Sequence, residues 1–157
     1  MDDYSRMAAL CSRREYCSYD ISEKLRKRGL EEGEIEAVLN KLTSERFVDD
    51  RRYARAYANE KMRLAGWGEK KVEFALKKKR IPSPVIAEAI AEVLEEQPGM
   101  LGENLDRLLK GKFDSIARKY DFSNLADKNR CKASLLRYAL SRGYSYAEII
   151  GRVERFF

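Results

Sequence analysis

The stretch RFVDDRRYARAY, residues 46–57, puts two adjacent carboxylates, Asp49 and Asp50, in front of a run of arginines and tyrosines. Three kinds of chemistry use such a pair. A divalent cation needs further oxygen ligands converging on it, and an acidic nuclease needs several carboxylates around its metal. A catalytic pair needs a partner that can exchange protons. The chain has no histidine, which removes the commonest general base and the commonest zinc partner. Its three cysteines, Cys11, Cys17 and Cys131, form no CxxC pair. No catalytic residue, metal-ligand set or cofactor motif is therefore expected, and a metal-dependent nuclease built on Asp49 and Asp50 stands as the least favoured reading. The third chemistry is structural. A short carboxylate at a helix start accepts hydrogen bonds from free backbone N–H groups and meets the positive end of the dipole. Phe47 and Val48 are expected to pack on the helix they introduce, as a hydrophobic staple.

Arg51, Arg52, Arg55 and Lys61 project from the helix behind the aspartates, and Tyr53 and Tyr57 recur four apart, as on a face packed against a neighbour. Between Arg46 and Arg80 there are twelve basic and five acidic side chains, an excess larger than the +6 net charge of the whole chain. A positive field of that kind favours polyanions. In EKKVEFALKKKR, Val72 and Leu76 face a core, and Lys71, Phe74 and Lys78 share another side with Lys70 and Lys77 adjacent. A lysine–aromatic–lysine face can hold phosphate and stack on a base. It can equally be a solvated face with Phe74 packed on the next unit. Trp67, in the AGWG turn, is either a partner anchor or buried between helices. The candidate contact face is Arg51, Arg52, Arg55, Lys70, Lys71, Lys77, Lys78 and Arg80, with Arg130, Lys132, Arg137 and Arg142 as a second, weaker patch.

The elements that carry these residues repeat. Ile21, Leu25, Leu30, Ile35, Leu39 and Leu42 recur 51 residues on as Val72, Leu76, Ile81, Ile86, Ile90 and Val93. They recur again 114 residues on as Leu135, Ala139, Tyr144, Ile149, Val153 and Phe156. Spacings of four and three keep side chains on one helix face, and a five spans a turn into the next helix. Gly29 and Gly143 sit where a helix would end in a left-handed residue; Arg80 holds that place in the middle repeat, where Ser83 can cap the next helix and Pro84 can open it. A further helix precedes each pair, at about residues 4–15, 50–64 and 102–120. No stretch alternates as a half-buried strand does. The fold expected is all-α: three tandem three-helix repeats, 1–48, 49–97 (basic) and 98–157, forming an elongated, curved molecule. EEQPGMLG, residues 95–102, is the expected hinge.

FVDDRRYARAYANEKMRLAGWGEKKVEFALKKKRI resembles the central motif of the RecX regulatory proteins: a phenylalanine, an aliphatic residue, DD, an arginine and an aromatic, then a glycine-bearing turn and an aliphatic helix. SEKLRKRGL resembles the family's first-repeat motif and LLRYALSRGYSYAEII its third, so the resemblance covers almost the whole chain. It departs where Gly66, Trp67, Gly68 and Glu69 lack the usual proline, where Arg80 replaces a usual glycine, and where Ala75 replaces a usual glutamate. The resemblance implies a non-enzymatic regulator that lodges in the groove of the RecA–DNA filament, lowers recombinase and ATPase activity, and so affects DNA repair, recombination and the SOS response. Single- or double-stranded DNA would be a partner together with RecA. A direct DNA-binding module with little sequence preference is the alternative, since no helix offers asparagine, glutamine and arginine together for base edges.

With 44% hydrophobic and 37% charged residues the chain can build a core, though a thin one. No apolar run is long enough to cross a membrane, and the opening MDDYSRMAALCSRR has no apolar signal segment. A cytoplasmic monomer with reduced thiols is expected.

Overall fold

The computed structural model describes all residues, Met1–Phe157. It consists of helices α1 (Asp3–Cys11), α2 (Ser18–Lys27), α3 (Glu32–Ser44), α4 (Asp50–Arg63), α5 (Glu69–Lys78), α6 (Ser83–Glu96), α7 (Met100–Ile116), α8 (Leu125–Ser141) and α9 (Tyr146–Glu154), with a 3-10 turn at Ala117–Lys119 after α7. There is no strand. No helix is long and apolar enough to cross a membrane.

The eighteen repeat positions form the interior. All are buried except Leu30, Leu39 and Phe156, which are half-buried. They fall into three separate clusters. One holds Met7, Ile21, Leu25, Ile35, Leu42 and Val48. The next centres on Ala54, Ala58, Met62, Val72, Leu76, Ile86 and Val93. The last centres on Leu105, Leu109, Leu135, Tyr144, Ile149 and Val153. Helix contacts follow the same grouping: α1 and α2 pack on α3, α4 and α5 on α6, and α7 and α8 on α9. Only 31 residues are buried in all, so each three-helix unit has a thin core and gains from its neighbours.

The turn inside each unit is built the same way. The N–H of Leu30 donates to the carbonyl of Leu25, that of Ile81 to Leu76, and that of Tyr144 to Ala139, each at 3.3 Å. The residue before each donor is left-handed: Gly29 (φ 90°), Arg80 (φ 58°) and Gly143 (φ 97°). This closure satisfies carbonyls at the helix end, and glycine adopts it without the Cβ penalty. Arg80 carries that penalty, about 1–2 kcal/mol, and its guanidinium lies over the Tyr19 ring of the first unit at 5.2 Å.

The two aspartates cap two different helices. Asp49 accepts from the N–H groups of Arg51 (3.0 Å) and Arg52 (3.1 Å) at the start of α4. Asp50 Oδ1 accepts from the N–H of Ser18 (2.8 Å), the first residue of α2. Cys17, which precedes α2, gives no side-chain cap of its own, so a carboxylate from the second unit fills that role.

Several local expectations are corrected. Phe47 and Val48 do not belong to the core of the helix they precede; they pack into the first unit's cluster, and Phe47 sets its ring edge to face against Tyr4 at 6.3 Å. Helix α1 ends at Cys11 rather than Glu15, because the following segment carries Cys17 into the second unit's core. Pro82, not Ser83, stands at the cap of α6, and its carbonyl accepts from Ile86 N–H. Of residues 95–102 only Gln97–Gly99 lie between helices; Gly99 is left-handed (φ 83°) and starts α7 at Met100. Tyr53 and Tyr57 stack with ring centres 5.9 Å apart, Tyr53 buried and Tyr57 half-buried.

Candidate nucleic-acid interface

The cations of α4 and α5 share a unit but not a situation. On α4, Arg51 pairs with Glu88, and Arg55 with Glu92 (3.0 Å) and Glu96, all on α6. The hydrogen bond from Arg55 holds the Glu96 carboxyl below its usual range. Arg52 pairs with Glu15 at 2.6 Å and donates to the carbonyls of Arg46 and Phe47. Arg51, Arg52 and Arg55 are thus spent on holding α4 to α6 and to the first unit. Such pairs sit at the surface and stabilise by at most about 1 kcal/mol each, but they cancel the local field.

On α5 the opposite holds. Lys70, Lys71, Lys77, Lys78 and Arg80 make no ion pair. Lys70, Lys77, Lys78 and Arg80 are exposed. Phe74 is 62% exposed and does not pack on the next unit. The Lys78 ammonium lies 4.4 Å from its ring centre. Lys71 lies 4.4 Å from the ring centre of Trp67, which also receives Lys61 (5.1 Å) and the edge of Tyr57. Trp67 is half-buried among these groups rather than displayed alone. Lys79 differs from its neighbours: it pairs with Asp20 at 2.6 Å, and that hydrogen bond raises its pKa. The face of α5 is therefore an unneutralised row of ammonium groups flanking one open aromatic ring. It can take phosphates along the row and a flat apolar surface at Phe74.

The second patch is scattered. Arg130 pairs with Asp127 one turn back, and Lys132 with Glu154 at 3.0 Å while lying over Phe157. Arg137 is exposed. Arg142 donates to the Tyr138 hydroxyl at 3.2 Å and lies over its ring. What brings Arg142 near the second unit is a backbone contact. Gly68 N–H donates to the Arg142 carbonyl (2.8 Å), and Lys70 N–H donates to the Gly143 carbonyl (3.1 Å). Tyr144 Oη donates to the Gly66 carbonyl at 2.8 Å. A Cβ on Gly68 would stand 2.5 Å from the Gly143 carbonyl carbon, and one on Gly143 would stand 2.5 Å from Lys71 Cβ. The root of the α5 row is thereby fixed against the third unit. Arg63 and Arg107, brought beside Arg142 by this contact, carry no sequence signal, because nothing in their spacing says that they meet.

No group of three or more aspartate, glutamate, cysteine or histidine residues is placed to hold a metal ion. The thiol of Cys17, pushed up to about 12 by burial, is poorly suited to nucleophilic work.

Two family models match the chain: the first three-helix domain of RecX over residues 4–42 and the second three-helix domain of RecX over residues 49–90. A Clostridium acetobutylicum protein named Regulatory protein RecX is 35% identical over 130 residues, covering 83% of this chain and 57% of the relative. The chain thus spans little more than half of that relative's length. A Vibrio campbellii protein of the same name is 29% identical over 140 residues, covering 89% of this chain and 82% of the relative. Among solved structures, a crystal structure of regulatory protein RecX aligns with TM-score 0.79 at 22% identity, over 93% of this chain and 67% of the other. RecX from Lactobacillus salivarius aligns with TM-score 0.73 at 23% identity, over 98% of this chain and 96% of the other. At these identities the two structures speak for the fold, including the third unit beyond the family models.

Proposed function

We propose that this chain, which belongs to the RecX family, is a non-catalytic regulator of the RecA recombinase that acts by binding the RecA–DNA filament in the cytoplasm. The α5 face supplies the contact to DNA: Lys70, Lys71, Lys77, Lys78 and Arg80 approach phosphates, and Phe74 stacks on a base or packs on the filament wall. The remaining units span the recombinase. Stronger binding to one filament state than to another shifts assembly and lowers the ATPase that depends on it.

One observation carries this reading. The α5 lysines Lys70, Lys71, Lys77 and Lys78 lack ion pairs, while Arg51, Arg52 and Arg55 in the first turns of α4 are each paired. A fold that neutralises the arginines at the start of α4 and leaves the lysines of α5 open keeps that charge for a partner. The test is RecA ATP hydrolysis on single-stranded DNA, titrated with wild type and with K71E/K78E at fixed salt. Wild type should lower the rate at substoichiometric protein, and the double reversal should lose most of that effect. Inhibition that survives the double reversal would remove α5 from the contact.

The second reading, a DNA-binding module acting without the recombinase, is favoured by the same lysine–phenylalanine face, which suits phosphate contact without base reading. It predicts DNA binding with a steep salt dependence and no change in RecA turnover.

A further inference from the structure

We propose that the cavity between the end of α4 and the third unit is a docking site for an acidic peptide segment of a partner protein, one that carries apolar side chains among its carboxylates. The cavity measures about 290 Å³ and is lined by Arg63, Leu64, Asn104, Arg107, Tyr138 and Arg142 among others. Three guanidinium groups, from the last residue of α4, the middle of α7 and the end of α8, converge there, and no carboxylate lines it. None of the three makes an ion pair. Glu96, whose carboxylate feels the Arg63 charge, is already held by Arg55.

The site is built rather than accidental. Asn104 is buried, and its Nδ2 donates to the Met62 carbonyl at 2.9 Å, so α7 is pinned to the last turn of α4. Its Oδ1 accepts from Arg107 at 3.2 Å and so aims that guanidinium. Arg142 is held at both ends, by its carbonyl on Gly68 N–H and by its side chain on Tyr138. Planar guanidinium groups fixed in this way take carboxylates two-pronged and lose little freedom in doing so.

The apolar wall separates a peptide from a nucleic acid. Leu64 is 81% exposed and stands beside the three guanidinium groups, with Ala65 and Leu108 also lining the cavity, so the site offers an aliphatic surface among its cations. An aliphatic side chain neither stacks on a base nor binds phosphate, but it packs on another aliphatic side chain. Tyr138, the one aromatic lining group, already has Lys112 (4.9 Å) and Arg142 (5.3 Å) over its ring. On α5 the ring among the lysines, Phe74, is 62% exposed, whereas Tyr138 is half-buried. The two surfaces therefore suit different chemistries, and the peptide site does not depend on the reading of α5.

The experiment uses the full chain and a fluorescein-labelled peptide of repeated Glu-Glu-Leu triplets, followed by anisotropy at low salt. Wild type should bind saturably. R63E/R107E should weaken binding by about tenfold or more, as expected for reversal of paired interface charges. Leu64→Ser should weaken it by a few-fold, and K71E/K78E should leave it unchanged. All substituted side chains are exposed or half-buried, and circular dichroism checks that the helices persist. The proposal is overturned if wild type does not bind, if R63E/R107E binds as well as wild type, or if K71E/K78E weakens binding equally. It is also overturned if a peptide of glutamate alone binds as tightly, or if single-stranded oligonucleotide, not peptide, is what R63E/R107E loses.

Discussion

The first and second units meet through side chains; the second and third meet through backbone. At the first junction Asp50 reaches α2, Arg52 reaches Glu15, Lys79 reaches Asp20, and Arg80 covers Tyr19. Each of these ties spans a flexible or exposed group and most are charged; the apolar packing there comes from Cys17, buried in the second unit's core, with Tyr19 beside it. At the second junction two glycines lie against each other, three hydrogen bonds with backbone acceptors cross, and the buried Asn104 adds a fourth to Met62. Charged ties weaken with salt and tolerate small movements. A glycine-to-glycine contact tolerates none. The second junction therefore fixes the angle between its units, and the first permits adjustment.

The sharpest break in this contrast comes from equivalent glycines. Gly29 and Gly143 occupy the same place in their repeats, both left-handed. A Cβ on Gly29 meets nothing within 4 Å, whereas one on Gly143 meets Lys71 Cβ at 2.5 Å. Gly29→Ala should cost about 1 kcal/mol, from backbone conformation alone. Gly143→Ala should cost about 2–4 kcal/mol, because overpacking is added to conformation. Urea unfolding gives the difference. Hydrogen exchange should place the loss at residues 66–70 and 142–144 in the second variant only. Equal costs would mean that the third unit does not rest on the turn before α5.

Asn104→Ala comes next. It leaves the Met62 carbonyl without its partner in a buried place, which costs about 1–3 kcal/mol. It also frees Arg107, so acidic-peptide affinity should fall along with stability. A loss of stability with peptide binding unchanged would separate the joint from the cavity.

The two aspartates sharpen the comparison at the first junction. Asp49→Ala removes a cap within its own helix, and Asp50→Ala removes one that crosses between units. Each should cost about 1 kcal/mol. Exchange should quicken at the start of α4 in the first variant and at Ser18–Ile21 in the second.

These sites show what the sequence carries and what it does not. The repeat was legible because burial on a helix imposes a spacing, and the spacing survives replacement of one apolar residue by another. Asp49 was legible because capping is local. Asp50 was not, since its helix partner lies 32 residues back. The open face of α5 was legible as charge, but its distinction from α4 was not, because pairing depends on which helices meet. One clue was present: Glu88, Glu92 and Glu96 recur at four-residue spacing, as do Arg51 and Arg55, and the two ladders match when α4 lies on α6. The meeting of Gly68 with Gly143 left no mark, because a glycine at a turn reads the same whether it faces solvent or another backbone.

The smallest effects run in opposite directions at the two junctions. Lys79 and Asp20 attract across the first, in a pair that is partly exposed, so Lys79→Met should cost less than about 1 kcal/mol and the cost should shrink as salt rises. Glu69 works against the second: burial, and then Glu148 and Glu73, raise its pKa above the usual carboxyl value. A carboxyl whose folded pKa is raised favours the folded chain most below its unfolded pKa, and that contribution is lost as pH rises through the folded value. At neutral pH Glu69 is therefore a burden on the turn that holds Gly68, and Glu69→Gln should stabilise the protein slightly. As pH falls toward the ordinary glutamate pKa the wild type gains a proton there, and the gap between the two proteins should close. Unfolding of both proteins from pH 7 down to that range reads the gap directly. A gap that stays constant would mean the Glu69 carboxylate is solvated, and that the second junction is held by backbone without opposition from charge.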